Sequence, residues 1–322
     1  MQYTTLGRTG LKVSVAGLGC GGFSRLGLNT GGTQAGAIAI IHAALDHGVN
    51  LLDTAAPYDT EAVVGKAIKT VPRDSVVIAT KASVFRGGER YSPERVVASL
   101  DNSLRELGID CIDIFQLHTV PPSAYDHVRD VIAPALLREK ERGKFRFLGI
   151  TEMAATDFEH ETLVRAVPDG LWDVVMVAFH LMNQNTREAV FPATLKYRVG
   201  TLLMFAVRRI FAGTDRVVVA MRELAAQGKV PQSLADDPDP LGFLVHPGGA
   251  TSLTDAAYRY VRHEPGVDVV LFGTGSQEHL RANIESILRP PLPQADRDRL
   301  KKLFGHLRGV GLVAPRATGV SG

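Results

Sequence analysis

Residues 75–82 read SVVIATKA, a run of apolar and β-branched residues that carries a lysine, Lys81, close to its end. A lysine rarely follows such a run into a protein interior without a carboxylate partner. Seven other short runs share its character. They are VSVAGLG (13–19), NLLDTA (50–55), CIDIFQLHT (111–119), KFRFLGIT (144–151), WDVVMVAFH (172–180), GTLLMFAV (200–207) and VDVVLFGTG (267–275). Longer segments of helical period separate them, which predicts βαβ units and a parallel sheet. Eight parallel strands close a barrel, so the expected fold is α/β: a (β/α)8 TIM barrel spanning 1–322 as a single domain.

Local signals support the helices. Ser92-Pro93-Glu94 reads as an N-cap, a proline at the first helical position and an acid in the first turn. Thr33, Thr60, Asn185 and Ser276 are candidate N-caps for other segments. Leu6-Gly7-Arg8-Thr9-Gly10 lies between two short alternating stretches and predicts an N-terminal β-hairpin before the barrel. The stretch 208–252, punctuated by LADDPDP and HPGGA, predicts a long loop after strand seven, with only MRELAAQ (221–227) helical. Loops at that rim of a barrel usually cover a ligand.

Composition narrows the function. The chain has 322 residues, 45% hydrophobic and 22% charged, so it can bury a sizeable core. A formal charge of +2 without any Lys/Arg block argues against nucleic acid as a partner. Cys20 and Cys111 give neither a disulfide framework nor a zinc spacing and suit a reducing compartment. The opening MQYTTLGRTG has no basic segment followed by an apolar core, and no apolar run reaches the roughly 18 residues of a membrane span. A soluble, cytoplasmic protein is expected.

Gly17-Leu18-Gly19-Cys20-Gly21-Gly22 satisfies Gly-x-Gly-x-x-Gly, yet its context does not suit a Rossmann site. No helix opens at the motif, and the first acid in the chain, Asp46, is too distant to hold a ribose. A glycine-rich turn at the end of the first barrel strand is expected instead.

Active sites of α/β barrels sit at the C-terminal ends of the strands. Asp53 ends the second run, Tyr58 follows it, Lys81 ends the third and His118 the fourth. Taken singly, Asp53 could cap a turn, Tyr58 could sit on the rim, and His118 could be a satisfied core histidine. Together they form a proton-transfer unit. Lys81 paired to Asp53 stays charged and is expected to lower the pKa of the Tyr58 phenol. The phenol then gives a proton to a carbonyl oxygen, or takes it back, while His118 orients that oxygen. None of the four supplies a hydride, so a nicotinamide is required.

NLLDTAAPYDT (50–60), ATKAS (79–83) and the Leu117-His118 pair resemble the three signature regions of the aldo-keto reductases. LGRTGLKVSVAGLG (6–19) and VLFGTGSQEHLRAN (270–283) resemble that family's N-terminal hairpin and its cofactor-binding eighth strand and helix. The resemblance covers essentially the whole chain. It implies an NADP(H)- or NAD(H)-dependent oxidoreductase in which Asp53, Tyr58, Lys81 and His118 are catalytic. It also implies hydride transfer to or from an aldehyde, ketone or sugar lactol, a small-molecule carbonyl or alcohol.

The resemblance further implies cofactor contacts. Gly21 and Gly22 belong to them, with Asp53. Thr151-Glu152 stands where the family has a Ser-Asn that holds the carboxamide, and Met176 stands where it has glutamine. Phe205 replaces the stacking aromatic, followed by Ala206, and Arg208 and Arg209 are placed for the pyrophosphate or are solvated loop arginines. Thr274, Gly275, Ser276, Glu278 and Asn283 match the adenosine contacts. Gly273 and His279 replace the lysine and arginine aimed at a 2′-phosphate, so discrimination for NADP over NAD should be modest or reversed. Glu152, if beside the nicotinamide, would favour its oxidised, positive form. A substrate pocket is expected from Phe23, Arg25, Tyr58, Phe85 and His118.

Three other readings compete. One is a non-catalytic nicotinamide-binding regulatory or sensor subunit of the same fold. Another is a barrel using Lys81 as a Schiff-base nucleophile. The last is a metal-dependent hydrolase through His118, His180 and His246, although no pair has a metal-like spacing, so no metal is expected.

Overall fold

The computed structural model describes residues 1–312. Strands β1 (Tyr3–Thr5) and β2 (Lys12–Ser14) pair antiparallel as the N-terminal hairpin. β3 (Ala16–Gly19), β4 (Leu51–Asp53) and β5 (Val77–Ser83) enter the barrel. A small hairpin of β6 (Phe85–Arg86) and β7 (Glu89–Arg90) follows. β8 (Ile112–Val120), β9 (Phe145–Glu152), β10 (Val174–Ala178), β11 (Gly200–Met204) and β12 (Val269–Phe272) complete it. The closed sheet runs β3-β4-β5-β8-β9-β10-β11-β12 and returns to β3, every pairing parallel.

Each of the eight runs contributes one barrel strand. They are legible because strands buried on both faces carry near-continuous apolar sequence. The first run is divided, however. Ser14 and the residues before it pair back onto Tyr3–Thr5, and only Ala16–Gly19 joins the barrel. A chain that must both close the hairpin and enter the sheet cannot do so in one unbroken ladder.

Two apolar layers result. Inside the barrel, Leu51, Val77, Ile114, Val174, Met176 and Leu202 pack together, and Leu6, Leu11 and Val13 from the hairpin close the floor beneath them. Leu6 and Val13 are fully buried, each side chain contributing roughly 1.5–3 kcal/mol of transfer free energy. Outside the sheet, a larger layer joins it to the surrounding helices.

The caps divide. Thr33, Ser92 and Ser276 accept from the backbone of Gly36, Arg95 and His279 respectively, as expected. Thr60 instead bonds its hydroxyl to that of Thr54 at 2.8 Å, and Asn185 donates its amide N–H to Phe158 O while its Oδ1 accepts from His160 Nε2. Both side chains are drawn into buried polar contacts, so neither caps. The stretch after β11 is also more regular than expected, since a helix spans Thr214–Ala226 and buries Val217, Met221 and Leu224. Its buried residues recur at helical spacing from Val217 into MRELAAQ.

One irregularity bears on the site. The β8–β9 register slips between Leu117 and Val120, and Thr119 within the slip has φ +50°. Such bulges bend a strand and re-aim its side chains.

Candidate active site

The four residues expected from the sequence do converge. Lys81 is fully buried, and its Nζ donates to Asp53 Oδ2 at 2.7 Å and to Thr54 O at 2.8 Å. It lies 5.1 Å from the centroid of the Tyr58 ring. Tyr58 ends a short turn after β4, and its Oη is 3.2 Å from His118 Nε2. The two rings meet edge to face, with centroids 5.4 Å apart. Tyr58 and His118 are half-buried, so this edge of the cluster faces the barrel mouth.

Two residues not singled out in the sequence complete the cluster. Gln116, inside the barrel on β8, directs its amide towards Asp53 Oδ1 at 3.4 Å, and its own Oε1 is buried without a partner. Gly149 makes room for it, because a Cβ there would lie 2.7 Å from Gln116 Cγ. Gly21 serves Tyr58 in the same way, since a Cβ on it would overlap the phenol ring. Alternation along β8 places Gln116 and His118 on one face, which is the signal that could have identified Gln116.

Burial and charge set the protonation states. Burial pulls the Lys81 ammonium down, but Asp53 outweighs it and holds the group above its ordinary value. Burial pushes the Asp53 carboxyl up, with Lys81 and Gln116 pulling it back. The Tyr58 phenol is also raised, because burial outweighs the lowering by Lys81. The net lowering expected from the sequence is therefore overturned: Lys81 acts in the expected direction, and burial is larger. His118 is pushed down to about 3 by burial and by Lys81, so its imidazole is neutral around pH 7. The site thus presents a protonated phenol beside a neutral imidazole, a donor for an oxygen gaining charge. Lys81, buried and ion-paired, has no free lone pair to act as a Schiff-base nucleophile.

Around this centre the expected ligand contacts behave differently from one another. Gly273, Gly275, Glu278 and His279 are exposed at the end of β12 and the start of the helix Gln277–Leu288. A Cβ on Gly275 would lie 2.6 Å from Gly27 Cα, so the loop after β3 approaches this backbone closely. Thr274 spends its hydroxyl on Ser276 N and O, and Asn283 is buried. Thr151 Oγ1 accepts from Thr119 N at 2.6 Å, while Met176 lies in the barrel interior. Phe205 follows β11 at φ +71°, a rare conformation for a bulky residue, and Ala206 is buried after it. Gly22, at φ +73°, has open space where a Cβ would point.

Two residues expected at the cofactor are engaged within the protein instead. Glu152 is fully buried: Oε1 accepts from Ala178 N at 2.8 Å and Oε2 pairs with His160 Nδ1 at 2.6 Å. His160 in turn meets Asn185 Oδ1 and Thr186 Oγ1. Burial drives the Glu152 carboxyl up against the pull of His160, while Glu152 overcomes burial to raise His160. Both carboxylate oxygens are thus engaged within the protein. Arg208 donates to Gly311 O at 2.9 Å and Leu312 O at 3.0 Å and covers Phe205, 4.1 Å from its ring centroid. It holds a returning C-terminal segment whose Leu312 packs with Ala154 and Ala178. Arg209 is exposed on the following turn.

Of the pocket residues, Phe23 is 81% exposed at the tip of the loop after β3. Arg25 meets Asp59 at 3.3 Å, and Phe85 belongs to the β6–β7 hairpin. His180 is buried with Nδ1 accepting from Met182 N, and His246 pairs with Asp296 at 3.0 Å. Among the described residues no three His, Cys, Asp or Glu side chains are grouped for a metal, and no helix is long and apolar enough to cross a membrane.

Known proteins resemble this chain in sequence and in fold. The model of the Aldo/keto reductase family matches residues 17–304. L-galactose dehydrogenase of Arabidopsis thaliana is 34% identical over 209 residues, which are 63% of this chain and 64% of that enzyme. The match thus spans just under two thirds of that relative. Aldo-keto reductase YhdN of Bacillus subtilis (strain 168) is 28% identical over 305 residues, covering 88% of this chain and 87% of that one. The holo form of aldo-keto reductase AKR11C1 from Bacillus halodurans superposes with a TM-score of 0.70 over 98% of this chain and 99% of that one, at 22% identity. That likeness is one of fold.

Proposed function

The chain belongs to the aldo/keto reductase family, whose members are oxidoreductases using NADP(H) or NAD(H), and we propose that it moves a proton through Tyr58 as a hydride is transferred. The observation that carries this reading is the Tyr58–His118 contact set against the buried Lys81–Asp53 pair. The exposed backbone of Gly273 and Gly275, the first turn of the helix at Gln277–Leu288, Phe205 and Thr151 fit a dinucleotide lying across the ends of β9 to β12. Gly21, Gly22, Thr274, Ser276, Glu278, His279 and Asn283 complete that seat. The nicotinamide supplies the hydride.

The protein's own residues handle the oxygen. A substrate carbonyl oxygen placed between Tyr58 Oη and His118 Nε2 receives the phenol proton as negative charge develops on it. Neutral His118 donates a hydrogen bond to the same oxygen without competing for the proton. Lys81, held charged by Asp53, stabilises the phenolate left behind. In the oxidative direction the same phenolate takes the proton from an alcohol.

An aldehyde or the lactol of a small sugar is the proposed substrate class, supported by the similarity to L-galactose dehydrogenase. Phe23 and Phe85 offer apolar surface to it, while Arg25 is engaged by Asp59. One domain over 1–322 and a cytoplasmic location belong to the same proposal; Cys20 and Cys111 are both free thiols. Consumption of reduced nicotinamide with nitrobenzaldehyde tests the reading. Turnover lost in Tyr58→Phe with cofactor binding retained supports it, and turnover preserved in that variant refutes it.

A further inference from the structure

The bulge in β8 lies immediately beyond His118. Thr119 has φ +50°, a left-handed conformation that a β-branched side chain rarely adopts, and the β8–β9 register slips across it. Such a conformation persists only where the surroundings impose it. The contact that meets its peptide is a side chain on the neighbouring strand: Thr119 N donates to Thr151 Oγ1 at 2.6 Å. Thr151 is buried at the end of β9, so its hydroxyl has little freedom to move away. One residue before the bulge, His118 Nε2 stands 3.2 Å from Tyr58 Oη.

We propose that Thr151 is a positioning residue for His118: its hydroxyl oxygen holds the strained Thr119 peptide and thereby sets where the imidazole meets the phenol. Without that acceptor the Thr119 N–H loses its partner in the slipped part of the ladder. The backbone then relaxes towards an ordinary extended conformation, which turns the adjoining His118 side chain along with it. A misplacement of His118 by even 1 Å is costly to a reaction that depends on its alignment. The catalytic part of this proposal rests on the function proposed above; the structural part does not.

Three variants test it. Thr151→Val keeps the shape and removes the acceptor, Thr151→Ser restores the oxygen, and Thr119→Gly removes the conformational strain. Amide hydrogen exchange and the His118 ring resonances are read in the cofactor-free protein, beside kcat and KM. In Thr151→Val, Thr119 should exchange about tenfold faster or more, the His118 ring resonances should shift, and kcat should fall about tenfold or more. Thr151→Ser should restore all three. In a Thr119→Gly background, where the left-handed conformation needs no support, Thr151→Val should cost distinctly less than in the wild type. Unchanged Thr119 exchange in Thr151→Val overturns the holding role. Faster exchange with unmoved His118 resonances overturns the positioning role, as does an equal cost in both backgrounds. If Thr151→Val does not fold, the same comparison is made with Thr151→Ala. A wild type without hydride transfer refutes the proposed function instead, while the exchange and resonance readouts still decide whether Thr151 holds Thr119.

Discussion

Replacing Lys81 by methionine should destabilise the protein in a way that depends on pH. Lys81 is fully buried and Asp53 nearly so, and their 2.7 Å contact is the carboxylate's closest neutralising partner. Removing one member of a buried pair usually costs about 3–5 kcal/mol, because the other charge is left without compensation. Asp53 has an escape, which is to take up a proton. Starting from an unfolded pKa of about 3.9, protonation at pH 7 costs about 1.36 kcal/mol for each of roughly three pH units, or about 4 kcal/mol. That figure caps the charge penalty. In the variant the folded pKa of Asp53 lies above its unfolded value, so the folded state binds the extra proton. The deficit is therefore smallest at acid pH and grows, by at most about 1.36 kcal/mol per unit, as pH rises from the wild-type Asp53 pKa, itself raised by burial, towards the higher pKa of the variant. At pH 5 it should be smaller than at pH 7. Urea unfolding of the wild type, Lys81→Met, Asp53→Asn and the double variant at pH 5 and pH 7 measures it. The double variant should recover most of the loss. A Lys81→Met deficit below about 1 kcal/mol at pH 7, or one independent of pH, would refute the buried-pair reasoning.

Other measurements reach other parts of the account. Glu152→Gln should leave the ratio of affinities for oxidised and reduced nicotinamide unchanged, because the carboxylate is spent on His160 and Ala178 N. It should nevertheless lower stability by about 2–4 kcal/mol in thermal or chemical unfolding, the cost of weakening a buried charged network. Gly21→Ala should keep the fold by circular dichroism and lower kcat at least tenfold, since its methyl group overlaps the Tyr58 ring. Reduction should be flat from pH 6 to pH 8, because His118 stays neutral well below that range, and should fall only at alkaline pH as the raised Tyr58 phenol ionises. A step near pH 6.5 in the reductive rate would contradict the assignment of His118. Fluorescence titration with NADH and NADPH should give affinities within about tenfold of each other, as Gly273 and His279 offer no bidentate cation to a 2′-phosphate.

The barrel and the convergence of Asp53, Tyr58, Lys81 and His118 were legible because both are written in short, local signals. Eight apolar runs announce a parallel sheet, and an ionisable residue at the end of such a run, as at Asp53 and Lys81, has few structural excuses. What stayed hidden depends on direction and on distant chain. Period-two alternation sends the Thr151 and Glu152 side chains to opposite faces of β9, so that pattern could have separated a mouth residue from the buried partner of His160. Arg208 is different. Its partners, Gly311 and Leu312, lie more than a hundred positions away, and nothing local to Arg208 says that they return to it. The sign of the Tyr58 shift required the depth of burial, a property of the assembled site rather than of its residues. The bulge at Thr119 leaves no mark in TVPP, since threonine gives no sign of a left-handed backbone.

The central claim is that Tyr58 carries the proton. Single-turnover reduction of nitrobenzaldehyde by enzyme preloaded with reduced nicotinamide, in wild type and Tyr58→Phe, addresses it without interference from product release. The account predicts a loss of about 100- to 10,000-fold in the hydride-transfer rate of Tyr58→Phe, with the affinity for reduced cofactor unchanged. A Tyr58→Phe enzyme that transfers hydride within a few-fold of the wild-type rate would contradict it.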